Sequence, residues 1–206
     1  MNSGLINQEF IQHANALIEA GKFFHDRGWV PATSGNLSAA LHDGLAITVS
    51  GRHKGRLTRE DIMLTDVTGR SMDGKKCSAE TLLHVYIYKN YRENRSVLHT
   101  HSPSATAISL LSGTEVALEG YELLKALSGI DTHATRVVIP VIANDQDIVR
   151  LAQSVDARLD KDSRGFLIKG HGLYTWGKTV EDAVRHVEAL EAMFEIQLRL
   201  MALKRP

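Results

Sequence analysis

Apolar residues recur at helical spacing in several segments of the chain. Between residues 8 and 27, Phe10, Ala14 and Leu17 fall on one face of a helix, and Gly28 ends the pattern. Ser102-Pro103 and Thr179 are typical helix starts, and Ser78 is expected to cap the segment that follows it. The predicted helices cover residues 8–27, 78–90, 103–111, 120–126, 145–159 and a long final segment that begins at 179.

Short apolar and β-branched runs lie between these helices. The predicted strands cover residues 45–49, 62–67, 96–101, 136–142 and 165–168, and residues 32–38 are expected to form a loop or an irregular strand start. Strands and helices therefore alternate along the chain. This order predicts an α/β fold in which helices pack on both faces of a central mixed sheet.

The composition indicates one globular domain over residues 1–206. The chain is 43% hydrophobic and 23% charged, and no linker divides it. Its 24 basic and 24 acidic residues give no net charge, which argues against nucleic acid or a membrane surface as a partner. The lone Cys77, the lack of an 18-residue apolar run and the lack of a cationic signal-like start at Met1–Gly21 predict a cytoplasmic protein.

Two histidines stand two residues apart at the end of a predicted strand. Residues i and i+2 of a strand point to the same face, about 7 Å apart at their Cα atoms, so His99 and His101 can converge on one divalent ion. Pro103 ends the strand, and α/β sheets build sites at strand ends. The alternative interpretation is a pair of surface histidines on an edge strand.

A third histidine follows another strand. His171 lies between Gly170 and Gly172, where glycines permit a tight turn and a close approach of backbone. Three imidazoles with an open coordination position are typical of catalytic zinc, whereas structural zinc normally has four protein ligands. The alternative is a turn histidine between two packing glycines.

Two glutamates are candidates for proton transfer beside such an ion. Glu80 follows Ser78 at a predicted helix start, and Glu122 precedes Lys125 by three residues. Spacing alone places neither carboxylate near a metal. Glu80 is otherwise a favourable charge in a first helical turn, and Glu122 is otherwise an ion-pair partner of Lys125.

Two polar loops and one helix start are suited to a phosphate group. Neither loop matches the P-loop or the dinucleotide fingerprint, so the expected ligand is a small phosphorylated molecule rather than ATP or NAD. Exposed polar turns without a ligand are the alternative. The candidate phosphate-binding residues are Ser34, Gly35, Asn36, Ser50, Gly51, His53, Lys54 and Ser78.

Together these segments resemble the class II aldolase/adducin family. The chain order is the same: a T-x-G-N-x-S loop at 33–38, a Ser-Gly turn at 50–51, a serine and glutamate at 78–80, H-x-H-S-P at 99–103 and G-H-G at 170–172. The resemblance covers about residues 10–200. Residues 28–38, 121–125 and 171–177 are most similar to the dehydratases of this family.

The resemblance implies a three-layer αβα sandwich around a mixed, largely antiparallel sheet, and a homotetramer. It implies one zinc ion per subunit, held by His99, His101 and His171. It assigns the acid/base role of the dehydratases to Glu122. Glu80 matches the acid/base position of the sugar-phosphate aldolases and is the secondary candidate, although Ala79 departs from the two serines typical of those enzymes.

The implied reaction is zinc-dependent dehydration of a phosphorylated five-carbon ketose that carries a methylthio group. An aldolase or 4-epimerase of the fuculose- or ribulose-phosphate type is the alternative, because it uses the same metal chemistry. A non-catalytic scaffold like the adducin head domain is a third interpretation. The three candidate ligands and two candidate acids favour an enzyme.

Overall fold

The computed structural model describes residues 3–91 and 93–204, which form five α-helices and eight strands. The helices are α1 (Ser3–Asp26), α2 (Thr81–Asn90), α3 (Pro103–Leu111), α4 (Ile148–Asp156) and α5 (Val180–Leu203). The strands are β1 (Asn36–Leu41), β2 (Gly44–Thr48), β3 (Ile62–Thr65), β4 (Ser96–Thr100), β5 (Glu115–Glu119), β6 (Arg136–Ile142), β7 (Gly165–Ile168) and β8 (Gly172–Gly177). Short 3₁₀ helices cover Lys54–Arg56, Arg59–Asp61 and Glu122–Ala126. None of the described helices has the length and apolarity needed to cross a membrane.

The strands form one sheet in the order β3-β2-β1-β4-β8-β7-β6-β5. Only the β6–β7 pair is parallel among the described pairs, and the other neighbours run antiparallel. The expected mixed, largely antiparallel sheet is therefore confirmed. Strand β4 lies inside the sheet between β1 and β8, so both of its neighbours can bring residues to its end.

Helices cover both faces of the sheet. Successive side chains of a buried strand point to opposite faces, so each strand contributes side chains to both helical layers. On β4, Leu98 packs in the cluster that includes α1 and α5, whereas Val97 packs in the cluster that includes α2 and α4. Helix α3 joins α5 on the first face. These layers confirm the αβα sandwich.

Capping side chains start α3 and α5. Ser102 accepts a hydrogen bond from the Ala105 amide with Pro103 in the first turn, and Thr179 accepts one from the Asp182 amide. The expected cap at Ser78 is wrong in detail, because α2 begins at Thr81, three residues after the predicted start of the helix. Ser78 instead accepts a hydrogen bond from the Glu80 amide at 3.3 Å, and Glu80 is the N-cap residue of α2.

Strands β5 and β8 were not predicted from the hydrophobic pattern, and β1 was covered only by the alternative of a loop or an irregular strand start at residues 32–38. Half of the six residues of β1 are Ser or Ala, and β5 is an edge strand with an exposed glutamate at each end. Strand β8 begins at a glycine, where the sequence indicates a turn. All three are held by pairing with neighbouring strands, which a local pattern does not report.

Strand β4 also contacts a buried acid on the side away from α2. Glu191 of α5 is 2% exposed and accepts hydrogen bonds from the hydroxyls of Thr100, at 3.1 Å, and Ser102. Burial raises the pKa of Glu191 to about 7, although both hydroxyls oppose the shift. The neutral carboxylic acid is therefore the form that the fold favours.

Replacing Glu191 by Gln should make stability less dependent on pH. A carboxyl group whose pKa rises on folding from 4.5 to about 7 stabilises the fold fully below pH 4.5 and loses that contribution as the pH rises to 7. Between pH 4.5 and 8, the free energy of unfolding of the native chain should fall by about 3 kcal/mol relative to Glu191→Gln, at about 1.4 kcal/mol per pH unit. Urea unfolding at both pH values measures this difference. The exposed Glu195→Gln on the same helix is the control, and an equal response of all three proteins would contradict the assignment.

Candidate metal centre and active site

Three imidazoles converge at the end of β4. His99 is the second-last residue of β4, His101 follows the strand, and His171 lies in the turn between β7 and β8. Their Nε2 atoms are 2.8 Å apart between His99 and His101, 3.0 Å between His101 and His171, and 3.3 Å between His99 and His171. The structure thus brings together all three histidines that were predicted as metal ligands.

Hydrogen bonding and burial leave these rings ready to bind a cation. His99 is fully buried, and its Nδ1–H donates to the Leu173 carbonyl at 2.9 Å, which leaves the lone pair on Nε2. Burial lowers the pKa of His99 well below its usual value, and burial with the neighbouring His99 lowers the pKa of His101 to about 3. Both rings are neutral at physiological pH, as metal ligands must be.

The spacing of the donor atoms fits a tetrahedral ion. Zinc–nitrogen bonds of 2.0–2.1 Å place neighbouring tetrahedral donors roughly 3.3 Å apart. A Glu80 oxygen lies 3.2 Å from His171 Nε2, and the other lies 3.6 Å from His99 Nε2. Donor atoms of these four residues all lie within 4.8 Å of one another. The set can hold a divalent cation with three imidazoles and keep a carboxylate beside the remaining position.

The His99 ring is held in place by stacked aromatic rings. It stacks on Tyr174 with 3.9 Å between ring centroids and an interplanar angle of 13°. Tyr174 stacks in turn on Phe166 at 4.9 Å. Tyr174 is paired with His99 across the β4–β8 ladder, so the strand register creates this stack. Sequence reasoning missed Tyr174 because β8 was not predicted as a strand.

Glycines allow the backbone to approach the end of β4. Gly35 has a φ of +76°, and a Cβ atom there would lie 2.6 Å from the His99 carbonyl oxygen. A Cβ atom at Gly172 would overlap the Thr100 carbonyl oxygen. A larger side chain at either position would push the adjacent segment away from the residues that carry the imidazoles.

The predicted phosphate-binding segments also meet near Glu80. Asn36 Nδ2 donates to Glu80 Oε2 at 2.7 Å, and Lys54 Nζ donates to the carbonyls of Thr33 and Arg52 at 3.0 and 2.8 Å. Burial lowers the pKa of Lys54 to about 8, and the Glu80 charge opposes that shift. Lys54 therefore links the two predicted phosphate-binding loops, through Thr33 and Arg52, behind the site.

The other predicted phosphate-binding residues are arranged around these contacts. Ser34 donates to the Pro31 carbonyl at 2.6 Å, and the His53 ring contacts His25 with 4.5 Å between centroids. The Ser50 amide donates to the Lys76 carbonyl at 3.1 Å, and Gly51 has a φ of +75° that suits a turn. Phosphate binding by these loops stays a prediction.

Glu122 lies elsewhere on the chain. It begins the 3₁₀ helix at 122–126, and its side chain is 72% exposed. One carboxylate oxygen accepts from Lys125 Nζ at 2.5 Å and the other lies 3.6 Å from His133 Nδ1. The hydrogen bond from Lys125 lowers the pKa of Glu122. Among the described residues, Glu80 is the carboxylate that joins the histidine cluster, and the acid/base role of Glu122 stays untested.

The fold and this site define a known class. The chain belongs to the class II aldolase and adducin N-terminal domain family, whose model matches residues 15–198. Methylthioribulose-1-phosphate dehydratase of Methylococcus capsulatus is 60% identical over 200 residues, which span 96% of this chain and 98% of the relative. The enzyme of the same name from Pseudomonas aeruginosa is 47% identical over 205 residues, which span 97% and 100%.

Solved structures agree with this assignment. L-Fuculose-1-phosphate aldolase from Thermus thermophilus is 26% identical, with a TM-score of 0.76 over 92% of this chain and 95% of that chain. A sugar-phosphate aldolase from Thermotoga maritima, at 20% identity and a TM-score of 0.68 over 94% and 96%, shows the same fold.

Removing one imidazole should release the metal. His99→Ala deletes a candidate ligand whose ring is fixed by Leu173, so bound divalent metal should fall by at least about tenfold, the loss typical of disturbing even the partners of metal ligands. Metal analysis of the purified protein measures this. His42→Ala, which removes an exposed histidine paired with Asp43, is the control and should keep its metal. Full metal retention by His99→Ala would contradict the ligand assignment.

A side chain at Gly35 should damage both the fold and the metal site. Gly35→Ala combines a left-handed backbone with a contact against the His99 carbonyl, so we expect a loss of about 3 kcal/mol in the free energy of unfolding. Gly74→Ala is the matched control, because its φ is +75° and nothing lies within 4 Å of its Cβ position. It should lose only about 1 kcal/mol and keep its metal. Equal losses in the two variants would show that the contact with His99 is unimportant.

Proposed function

We propose that this chain catalyses the zinc-dependent dehydration of 5-methylthioribulose 1-phosphate to 2,3-diketo-5-methylthiopentyl 1-phosphate, a step of methionine salvage. The observation that carries this proposal is the cluster of three neutral imidazoles and one carboxylate in a chain 47–60% identical to dehydratases of that name. Zinc is the metal that we assign, because three imidazoles with an open position are typical of catalytic zinc.

His99, His101 and His171 would hold the ion through their Nε2 atoms. When bound, it supplies a Lewis acid that draws electron density from the ketone oxygen of the substrate and makes the C3 proton more acidic. Glu80 is the carboxylate nearest to these imidazoles. In our proposal it accepts the C3 proton.

The same carboxyl group then completes the loss of water. Hydroxide is a poor leaving group, so the C4 oxygen must gain a proton as its bond to C4 breaks. Protonated Glu80 gives the proton that it took from C3 to the C4 oxygen. The electron pair of the broken C3–H bond forms the C3–C4 double bond, and the electron pair of the broken C4–O bond leaves with the water. The enol that remains tautomerises to the 2,3-diketone without an oxidant or reductant.

The loops around Lys54 hold the phosphate in this proposal. Asn36 and Ser78 contact Glu80, and Lys54 joins the loop at Thr33 to the loop at Arg52. These segments provide backbone N–H groups and hydroxyls for the phosphate. An anchored phosphate would aim C3 at the carboxylate and reduce the entropy that the reaction must otherwise overcome. We further propose a cytoplasmic homotetramer, in which the Glu122 of a neighbouring subunit is the alternative proton carrier.

The second candidate function is aldol cleavage or 4-epimerisation of a phosphorylated sugar. It is supported by Glu80, which lies in the histidine cluster and which the family resemblance matches to the acid/base position of the aldolases. The likeness to L-fuculose-1-phosphate aldolase supports it as well. Incubation with methylthioribulose 1-phosphate and with L-fuculose 1-phosphate separates the two functions, because we expect diketone from the first substrate and no cleavage of the second.

The proton carrier can be identified with two isosteric variants. Glu80→Gln keeps the shape of the side chain but removes its basicity, so kcat for diketone formation should fall by about 10²- to 10⁴-fold with zinc retained. Glu122→Gln should stay within about tenfold of the native chain, because its carboxylate is paired with Lys125 outside the cluster.

The reverse result would move the role to Glu122. Zinc content is measured for both variants in parallel, so that metal loss is not mistaken for loss of the base. If Glu80→Gln turns over normally with full zinc, Glu80 takes no part in proton transfer.

A further inference from the structure

The Glu80 carboxylate is the outer end of a buried chain of hydrogen bonds. Asn36 Nδ2 donates to Glu80 Oε2 at 2.7 Å, and Asn36 Oδ1 contacts Nε2 of His84. Asn36 is 4% exposed and His84 is fully buried. The amide that contacts the carboxylate is thus itself held from behind by an imidazole.

The chain of hydrogen bonds continues beyond His84, away from Glu80. Ser38 Oγ lies 2.7 Å from His84 Nδ1 and also 2.7 Å from the Tyr88 hydroxyl. Ser38 is fully buried, so its hydroxyl cannot exchange these partners for bulk water. Each ring nitrogen of His84 has one polar partner.

Two regular elements supply all five residues. The N-cap residue of α2, Glu80, is followed at intervals of four residues by His84 and Tyr88. Their side chains therefore share one face of that helix. Asn36 and Ser38 are two residues apart on β1 and share one face of that strand. The hydrogen-bonded chain is therefore the seam where this face of α2 meets β1.

All hydrogen bonds in this series are donated in the same direction, from Tyr88 toward Glu80. An ionised carboxylate only accepts hydrogen bonds, so Asn36 must turn its NH₂ toward Glu80 and its carbonyl oxygen toward His84. His84 must then carry its proton on Nε2 and accept from Ser38 through Nδ1. Ser38 in turn accepts from Tyr88. Burial lowers the pKa of His84 to about 4, so the ring acts as a neutral donor and not as a charge.

We propose that His84 is a positioning residue for the reaction, acting through Asn36 on Glu80. Its Nε2–H blocks the rotation of the Asn36 amide that would turn an oxygen toward the carboxylate. This keeps one Glu80 oxygen bonded to Asn36 and the other directed at the imidazoles, 3.2 Å from His171 Nε2. The inference rests on the proposed role of Glu80 as proton carrier.

The test compares two replacements of His84. His84→Leu removes the donor but keeps an apolar side chain in the buried space, and kcat should fall by about 10- to 100-fold with zinc content and KM within about twofold. His84→Gln keeps a side-chain N–H that can reach Asn36, and kcat should recover to within about threefold of the native chain.

A kinetic isotope effect separates positioning from a simple loss of folded protein. With substrate deuterated at C3, a misplaced base makes proton removal more rate-limiting, so the isotope effect should rise in His84→Leu and return in His84→Gln. Partial unfolding would lower kcat and leave the isotope effect unchanged. His186→Leu is the control, because His186 is 2% exposed and bonded to Trp176 and Ser128 away from this seam.

A double-mutant cycle separates this inference from the proposed function. If His84 acts through Glu80, Glu80→Gln combined with His84→Leu should be no slower than Glu80→Gln alone. Normal turnover of Glu80→Gln would overturn the role of Glu80 and this inference with it. Loss of activity in Glu80→Gln with a native kcat in His84→Leu would overturn the inference alone.

Two other results would also overturn it: an unchanged isotope effect in a slow His84→Leu, or multiplied losses in the double variant. If His84→Leu does not fold, Ser38→Ala tests the next link. It should lower kcat by about threefold to tenfold, with the same rise in the isotope effect, because it removes the hydroxyl that fixes the His84 ring. A native kcat and isotope effect in Ser38→Ala would then count against the seam.

Discussion

The site depends on how closely two backbone segments approach the end of β4. There is space for hydrogen but not for a Cβ atom between Gly35 and the His99 carbonyl, or between Gly172 and the Thr100 carbonyl. This approach brings the Leu173 carbonyl to His99 Nδ1 and so determines which nitrogen faces the other imidazoles. The main chain, rather than a surface loop, therefore sets the geometry of the three donor atoms.

Successive side chains of β4 point to opposite faces of the sheet. This keeps the polar contacts of His99 with Glu80 apart from those of Thr100 with Glu191. His99 points toward α2, with Glu80 at the rim of that layer. Thr100 points to the opposite face and donates to the buried Glu191 of α5. Because successive side chains of a strand point to opposite faces, Glu191, which anchors the strand, cannot reach Glu80 in the histidine cluster.

The candidate ligands could be predicted because local patterns determine their placement. His99 and His101 share a strand face by their spacing, and the glycines around His171 indicate a turn. The acid could not be chosen in the same way, because Glu80 and Glu122 each follow a local rule equally well. The pair of Glu122 with Lys125 follows from their spacing, whereas only the packing of α2 against β1 shows that Asn36 contacts Glu80.

The sequence by itself determined the positions of the helices and of most strands, the three candidate ligands and the family resemblance, because these depend on the spacing of residues close together in the chain. The spacing of Glu80, His84 and Tyr88 is also visible there, but it has no meaning until β1 supplies Asn36 and Ser38. The tertiary structure alone decided the extent of β1, the existence of β5 and β8, the stacking of Tyr174 on His99 and the burial of Glu191. These features are contacts between residues distant in the chain, and such contacts form only when the strands pair and the helices pack on them.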